Sequence, residues 1–183
     1  MGERDGPMRD GLVARPFSKL RIGDEFWGAL TVAEGHVVAA AGIFNDPGPN
    51  HVNMLHASAG RFGGRVAHGP LLVGIAIGVL GNSLGATIVA LLEQSSRFLA
   101  PVRLGDTVIP QWTVAETIPK ESLGGGIVRF DGRVQGAGGE KLIELTAMLA
   151  VAEEPPWTPW GQVSAGKPGA AAGDDNEIDR SDD

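Results

Sequence analysis

The stretch Gly69-Pro-Leu-Leu-Val-Gly-Ile-Ala-Ile-Gly-Val-Leu80 decides the fold, because it is apolar on every side. Pro70 suits the first position of a helix, and the glycines between positions 81 and 85 provide a stop signal. A helix without a polar face has to be buried on all sides. The sequence therefore predicts a central helix that other elements enclose.

Four strand-like segments follow this helix and define the rest of the fold. They lie at about 87–99, 106–118, 126–137 and 141–152. Turn residues separate them, at Pro101, 104–106, 123–126 and 136–139. One apolar helix followed by long antiparallel strands predicts an α+β fold, in which a curved antiparallel sheet wraps around the helix.

The N-terminal half has a mixed pattern. Residues 24–30 predict a short strand, and Thr31 with Glu34 has the spacing of a capping box, which predicts a helix from there to about Gly42. The segment FNDPGPN at 44–50 fits neither helix nor strand, because its prolines lack the backbone donor. A short helix is expected near 54–59.

Length and composition set the domain organisation. The 183 residues fit one domain with an extension. We expect a flexible lead-in at 1–16, a folded domain at 17–152, and an acidic, Pro/Gly/Ala-rich tail at 153–183 that is disordered.

Charge and residue usage exclude several function classes. The formal net charge is −7, and residues 151–183 carry most of it, with eight acidic and two basic side chains. The nearly neutral remainder predicts no binding of nucleic acid. No apolar run reaches the roughly 18 residues of a membrane span, and the N-terminus lacks a secretory signal. Since cysteine is absent, no disulfide or thiolate nucleophile is expected. A cytoplasmic protein is predicted.

The segment Asp46-Pro-Gly-Pro-Asn-His51 is the strongest chemical feature of the chain. A carboxylate beside an imidazole in a proline-stiffened loop is suited to holding a water molecule and moving its proton. The same spacing also fits an Asp that caps the turn and a His that makes a structural hydrogen bond. The spacing alone leaves both interpretations open.

A second feature, Arg61-Phe-Gly-Gly-Arg-Val-Ala-His68-Gly69, leads directly into the apolar helix. The start of a helix presents free N–H groups and a partial positive charge. The Gly69 amide, with no side chain beside it, suits the stabilisation of a developing oxyanion. The alternative interpretation is that Gly69 is a plain N-cap of the helix.

Together, in this order and at this spacing, these features resemble the MaoC-like proteins, the (R)-specific enoyl-CoA hydratases. The resemblance covers about 17–152 and includes Asp-x-x-Pro-x-His at 46–51 with Ala57 after it. It continues through 61–69 and resumes at Arg97-Phe-Leu-Ala-Pro-Val-Arg-Leu-Gly-Asp106, while 17–24 is similar to the family's opening strand. The family usually has Asn in place of Gly48 and an aliphatic residue in place of Asn50. Its fold is the hot dog, a long helix wrapped by an antiparallel sheet.

The resemblance implies an activity and a set of catalytic residues. Asp46 and His51 would activate water for reversible hydration of a trans-2-enoyl thioester to a 3-hydroxyacyl thioester, while the Gly69 amide polarises the thioester carbonyl. The partner would be an acyl-CoA or acyl-carrier thioester, and the chain would form a homodimer. No cofactor is implied beyond the coenzyme A of the substrate.

Further residues are candidates for contacts with the substrate. Basic side chains for the phosphates are Arg61, Arg65, Arg97 and Arg103, and helix residues for the acyl pocket are Ile75 and Ile77. We interpret His68 as the residue that positions the Gly69 turn. No metal is expected, because no His/carboxylate set has the spacing of a metal site such as H-E-x-x-H.

Two other functions fit parts of the sequence. A non-catalytic hot-dog partner subunit, or a thioester-binding module, is favoured by Gly48 and Asn50, which depart from the family pattern. An acyl-CoA thioesterase would need a carboxylate placed to attack the carbonyl carbon, and the spacing from Asp46 to His51 argues against that.

Overall fold

The computed structural model describes residues 13–156, which form six strands and four α-helices. In chain order these are β1 Glu25–Trp27, β2 Leu30–Thr31, α1 Glu34–Ile43, α2 Pro49–Val52, α3 Met54–Ala59, α4 Gly69–Leu84, β3 Ile88–Phe98, β4 Thr107–Lys120, β5 Gly125–Gly136 and β6 Lys141–Ala152. The four strands predicted after the helix agree with β3 to β6 within two residues at each end.

All strands belong to one antiparallel sheet with the order β1-β4-β5-β6-β3, and β2 also pairs with β4. The helix α4 packs against this sheet, and the predicted α+β class with a hot-dog arrangement is confirmed. Since β3 pairs only with β6 among the described strands, it lies at one edge of the sheet.

The helix α4 is buried along one stripe. Leu72, Ala76, Leu80 and Leu84 are at most 4% exposed, and their spacing of four residues puts them on one face. The indole Nε1 of the buried Trp112 donates a hydrogen bond to the carbonyl of Ala76 at 2.7 Å, which fixes the middle of the helix on the sheet.

The prediction that this helix is buried on all sides is wrong for the described part of a single chain. Gly74 and Gly81 are exposed, and Val73 and Ile77 are only partly buried. A sheet covers one side of a helix, so the opposite apolar side of α4 stays partly open.

The start of α1 also differs from the expectation. Thr31 belongs to β2, where it is paired with Thr107, and its hydroxyl contacts the Thr107 hydroxyl at 2.8 Å. The helix begins at Glu34, and Nδ1 of His36 accepts a hydrogen bond from the Ala33 amide at 3.0 Å. Pairing in the sheet therefore removes Thr31 from the N-cap position, which Ala33 occupies, and His36 has the role that was expected of Glu34.

The described segment that precedes the domain lies against its body. Ala14 forms a β-bridge with Gly85, and the Arg15 guanidinium pairs with Asp24 at 2.9 Å. Residues 1–12 of the expected lead-in and most of the expected disordered tail, 157–183, lie outside the described residues. The division of the chain into these three segments therefore stays a prediction. No helix in the described range is long and apolar enough to cross a membrane.

Gly132 on β5 is expected to tolerate no side chain, because it lies against the Trp112 ring. A Cβ at Gly132 would lie 2.4 Å from Trp112 Cε3, in the fully buried core. Gly132→Ala should lower the free energy of unfolding by about 1–3 kcal/mol, as overpacked cores do. Urea unfolding followed by circular dichroism measures this change.

A matched control is Gly35→Ala on the exposed side of α1, where a Cβ meets nothing within 4 Å. Alanine there should leave stability unchanged or raise it by about 0.5 kcal/mol, because it favours the helix. Equal effects of the two substitutions would contradict the packing described for Gly132.

Candidate active site

The loop after α1 carries Asp46 and turns the chain into α2. The Asp46 amide donates to the Ala41 carbonyl at 3.0 Å, so this residue is attached to the last turn of the helix. Its Oδ1 accepts from the Gly48 amide at 3.1 Å, and Pro49 begins α2. These contacts leave Oδ2 free, on a side chain that is 54% exposed.

The His51 ring is oriented by a backbone carbonyl. Its Nδ1 lies 2.8 Å from the Val66 carbonyl oxygen, which can only accept, so Nδ1 carries the proton and donates. Its Nε2 then has a free lone pair and lies 3.9 Å from Oδ2 of Asp46. The ring is 19% exposed, so one side of it remains reachable.

The gap between His51 and Asp46 fits a water molecule. A separation of 3.9 Å is too long for a direct hydrogen bond. One water oxygen at about 2.8 Å from both atoms would bridge this gap with an angle of roughly 90° between its two hydrogen bonds. The pair is therefore arranged to hold a water molecule and to accept its proton.

His68 links this pair to the start of α4. It is 1% exposed, and its Nε2 lies 3.0 Å from the Asp46 carbonyl oxygen. Its ring stacks on the His51 ring with centroids 3.8 Å apart, and the Phe44 ring meets it edge-on at 6.0 Å. Because His68 immediately precedes Gly69, the dyad lies beside the N-terminus of α4. The interpretation of His68 as the residue that positions the Gly69 turn stays a prediction.

Gly69 occupies the first turn of α4, where its amide has no hydrogen-bond partner among residues 13–156. The ring of Phe98 covers its α-carbon, because a Cβ at Gly69 would lie 2.8 Å from Phe98 Cζ. A side chain at position 69 would therefore require the half-exposed Phe98 ring to shift.

Gly48 is closely packed between the two candidate catalytic side chains. A Cβ there would lie 2.9 Å from Oδ1 of Asp46 and 3.2 Å from Cδ2 of His51. A side chain at this position would therefore require Asp46 or His51 to shift.

Asp46, His51 and His68 each offer one possible metal-ligand atom, and these atoms lie within 4.8 Å of one another. The two imidazole planes are nearly parallel, at 23°, so their in-plane lone pairs do not converge on one point. In addition, Nε2 of His68 donates to the Asp46 carbonyl. This geometry suits a water molecule better than a metal ion with two histidine ligands, and the expectation of no metal stays a prediction.

The candidate phosphate ligands have different surroundings. Arg65 forms a bidentate ion pair with Glu34, and Arg103 donates from Nε and Nη2 to the Phe62 carbonyl at 3.1 and 2.6 Å. Arg97 approaches Glu144 at 4.0 Å and points to the opposite face from its neighbour Phe98, away from α4. Arg61 is exposed and forms no ion pair within the described residues, so it is the candidate most available to a phosphate.

Ile75 and Ile77 on α4 are partly buried and pack against the core, as a wall of an apolar pocket would. The sequence-based interpretation missed the Val66 carbonyl and the ring of Phe98. A backbone carbonyl leaves no signal in a sequence. Phe98, by contrast, lies in the motif that begins at Arg97, so its presence was visible although its role was not.

Comparisons with known proteins show which proteins this chain is similar to. The family described as MaoC like domain matches residues 23–126. An (R)-specific enoyl-CoA hydratase of Rhodospirillum rubrum is 36% identical over 112 residues, which cover 61% of this chain and 78% of that protein. A 3-hydroxybutyryl-CoA dehydratase of Methylorubrum extorquens is 37% identical over 89 residues, or 49% of this chain and 57% of that protein. The unliganded R-hydratase PhaJ1 from Pseudomonas aeruginosa superimposes with a TM-score of 0.71 at 27% identity, covering 78% of this chain and 90% of that one.

Proposed function

Because this chain belongs to the family of MaoC-like domains, we propose that it reversibly hydrates a trans-2-enoyl thioester of coenzyme A to a 3-hydroxyacyl thioester. The observation that carries the proposal is the gap of 3.9 Å between Nε2 of His51 and Oδ2 of Asp46, beside the start of α4. The names of the two curated relatives describe the same reaction in its two directions.

The addition of water begins at the dyad. Nε2 of His51 accepts a proton from the water while Oδ2 of Asp46 holds its other hydrogen, and the oxygen forms a bond to C3 of the enoyl group. The electron pair of the C2–C3 double bond moves toward the thioester oxygen. The proton returns from the dyad to C2, so both groups end in their starting states.

The negative charge that grows on the thioester oxygen needs a donor. The Gly69 amide is free, lies in the first turn of a 16-residue helix, and benefits from the partial positive charge there. A thioester whose carbonyl accepts a hydrogen bond from this amide would also lie beside the dyad. The reason is that His68, which immediately precedes Gly69, stacks on the His51 ring. This arrangement puts the hydroxyl group and the proton on the same face of the substrate.

The ligand and the assembly follow from the same proposal. Acyl chains would lie along the partly buried Ile75 and Ile77 of α4, and Arg61 would contact the phosphates of coenzyme A. A homodimer would cover the edge strand β3, which carries the exposed Leu91 and Leu92. We also propose a cytoplasmic location, where coenzyme A thioesters are substrates.

A spectrophotometric assay with crotonyl-CoA tests this function. We expect the enoyl absorbance to fall without release of free thiol, which a thiol reagent measures in parallel. Release of thiol would instead identify a thioesterase. No change in either signal, with crotonyl-CoA still bound, would identify a non-catalytic thioester-binding subunit. Each of these two results would overturn the proposal.

A further inference from the structure

Glu34 and Arg65 form an ion pair that joins two separate parts of the candidate site. Nη1 of Arg65 donates to Oε1 of Glu34 at 2.9 Å, and Nη2 donates to Oε2. The Arg65 side chain is 14% exposed and the Glu34 side chain is 58% exposed, so the ion pair lies at the surface with the arginine partly covered. The bidentate geometry fixes both direction and distance, which a single contact would not do.

Glu34 is the first residue of α1, and the loop that follows this helix carries Asp46. The amide of Asp46 is bonded to the carbonyl of Ala41 in the last turn of that helix. The helix has 10 residues and is therefore a rigid rod about 15 Å long. A displacement of Glu34 at one end consequently moves Asp46 at the other.

Arg65 immediately precedes Val66, the residue whose carbonyl orients His51. The Val66 amide donates to the Asn50 carbonyl at 3.1 Å, and its own carbonyl accepts from Nδ1 of His51 at 2.8 Å. The position of Val66 thus determines where the His51 ring points.

We propose that Glu34 and Arg65 are positioning residues that set the gap between Asp46 and His51. The ion pair fixes α1, to which the Asp46 amide is hydrogen-bonded, relative to the backbone segment that orients His51. This inference rests on the proposed hydration and gives Arg65 a role other than binding phosphate. The hydrogen bond from Arg65 lowers the pKa of the Glu34 carboxyl below its ordinary value, so the pair stays charged at neutral pH and is lost only when the pH falls through that lowered value.

Replacing Arg65 by Met keeps the length of the side chain and removes the ion pair. We expect kcat for crotonyl-CoA to fall about 10-fold while KM stays within twofold. The loss is partial because the hydrogen bond from the Ala67 amide to the Val102 carbonyl, at 2.8 Å, still holds the segment. Glu34→Gln should give the same pattern, and the charge-reversed double variant Glu34→Arg/Arg65→Glu should recover part of kcat.

The matched control is Arg129→Met, which removes the ion pairs that another arginine makes with Asp131 and Glu116 on the sheet. Its kcat should equal that of the wild type.

The second substrate is the crotonyl thioester of N-acetylcysteamine, which has no phosphate. The kcat defect of Arg65→Met should be the same with this thioester. A raised KM for crotonyl-CoA, with normal turnover of the short thioester, would show that Arg65 binds phosphate and would overturn the inference.

Imidazole NMR of His51 gives a readout that does not depend on activity. The wild type should show a ring with the proton fixed on Nδ1, and Arg65→Met should show partial exchange between the two tautomers, because the Val66 carbonyl is held less firmly. An unchanged spectrum would overturn the inference. If the wild type fails to hydrate crotonyl-CoA, the proposed function fails, while this spectrum still decides whether the ion pair positions His51.

Discussion

Asp46→Asn is expected to lower kcat for the hydration of crotonyl-CoA by about 10³-fold, the range that general acid–base groups contribute. The amide keeps the size of the side chain and still accepts the hydrogen bond from Gly48, so the loop should keep its shape. It loses the negative charge at Oδ2 that would hold the water beside His51 in the proposed mechanism. His51→Gln should have an effect of similar size, because it removes the base that accepts the proton. Steady-state kinetics measures both.

His56→Gln is the control for these variants, since His56 is an exposed histidine on the neighbouring helix α3. It should retain full activity. Thermal unfolding should give the same midpoint for Asp46→Asn as for the wild type, because the Asp46 side chain is more than half exposed. An Asp46→Asn variant with full turnover would remove Asp46 from the mechanism.

Gly69→Pro should lower kcat by about 10²-fold relative to Gly69→Ala, which is the typical loss when one oxyanion donor is removed. Both variants add a Cβ that meets the Phe98 ring, so they share this steric contact. Only proline removes the N–H. Proline is tolerated in the first turn of a helix, and the preceding His68 has the extended ψ of 137° that a following proline requires.

Comparing the two Gly69 variants separates the effect of losing the N–H donor from the effect of the contact with Phe98. Adding Phe98→Ala to each should relieve the contact and raise the activity of the alanine variant, whereas the proline variant should remain slow. Equal kcat values for Gly69→Pro and Gly69→Ala would show that another group stabilises the oxyanion.

The sequence predicted the fold because its signals are local. The apolar run from Gly69 onward, the alternating strands and the glycine-containing turns each specify one element, and an antiparallel sheet of neighbouring strands follows from them. The predictions that were wrong failed because of contacts between residues that are distant in the sequence. Thr31 has the spacing of a helix cap, but it pairs with Thr107 in the sheet instead. The competition between capping the helix and pairing in the sheet can be seen only in the three-dimensional structure.

The candidate site was predictable to the extent that it lies in contiguous motifs. Asp46, His51 and Gly69 could be selected from the sequence, and the structure places the dyad beside the helix start. The carbonyl of Val66 and the ion pair between Glu34 and Arg65 could not, because backbone groups and contacts across 31 residues leave no pattern in the chain. Arginines likewise look equivalent in a sequence, although their partners differ.

Hydration of crotonyl-CoA in D₂O tests the shared role of Asp46 and His51 most directly. Since one pair of side chains activates the water and returns the proton, the hydroxyl group at C3 and the deuterium at C2 should arrive on the same face. The coupling constant between the remaining hydrogens in the proton NMR spectrum of the product reports their relative configuration. A single syn diastereomer is the predicted result. Anti addition, or a mixture of both diastereomers, would contradict a site in which this dyad performs both steps.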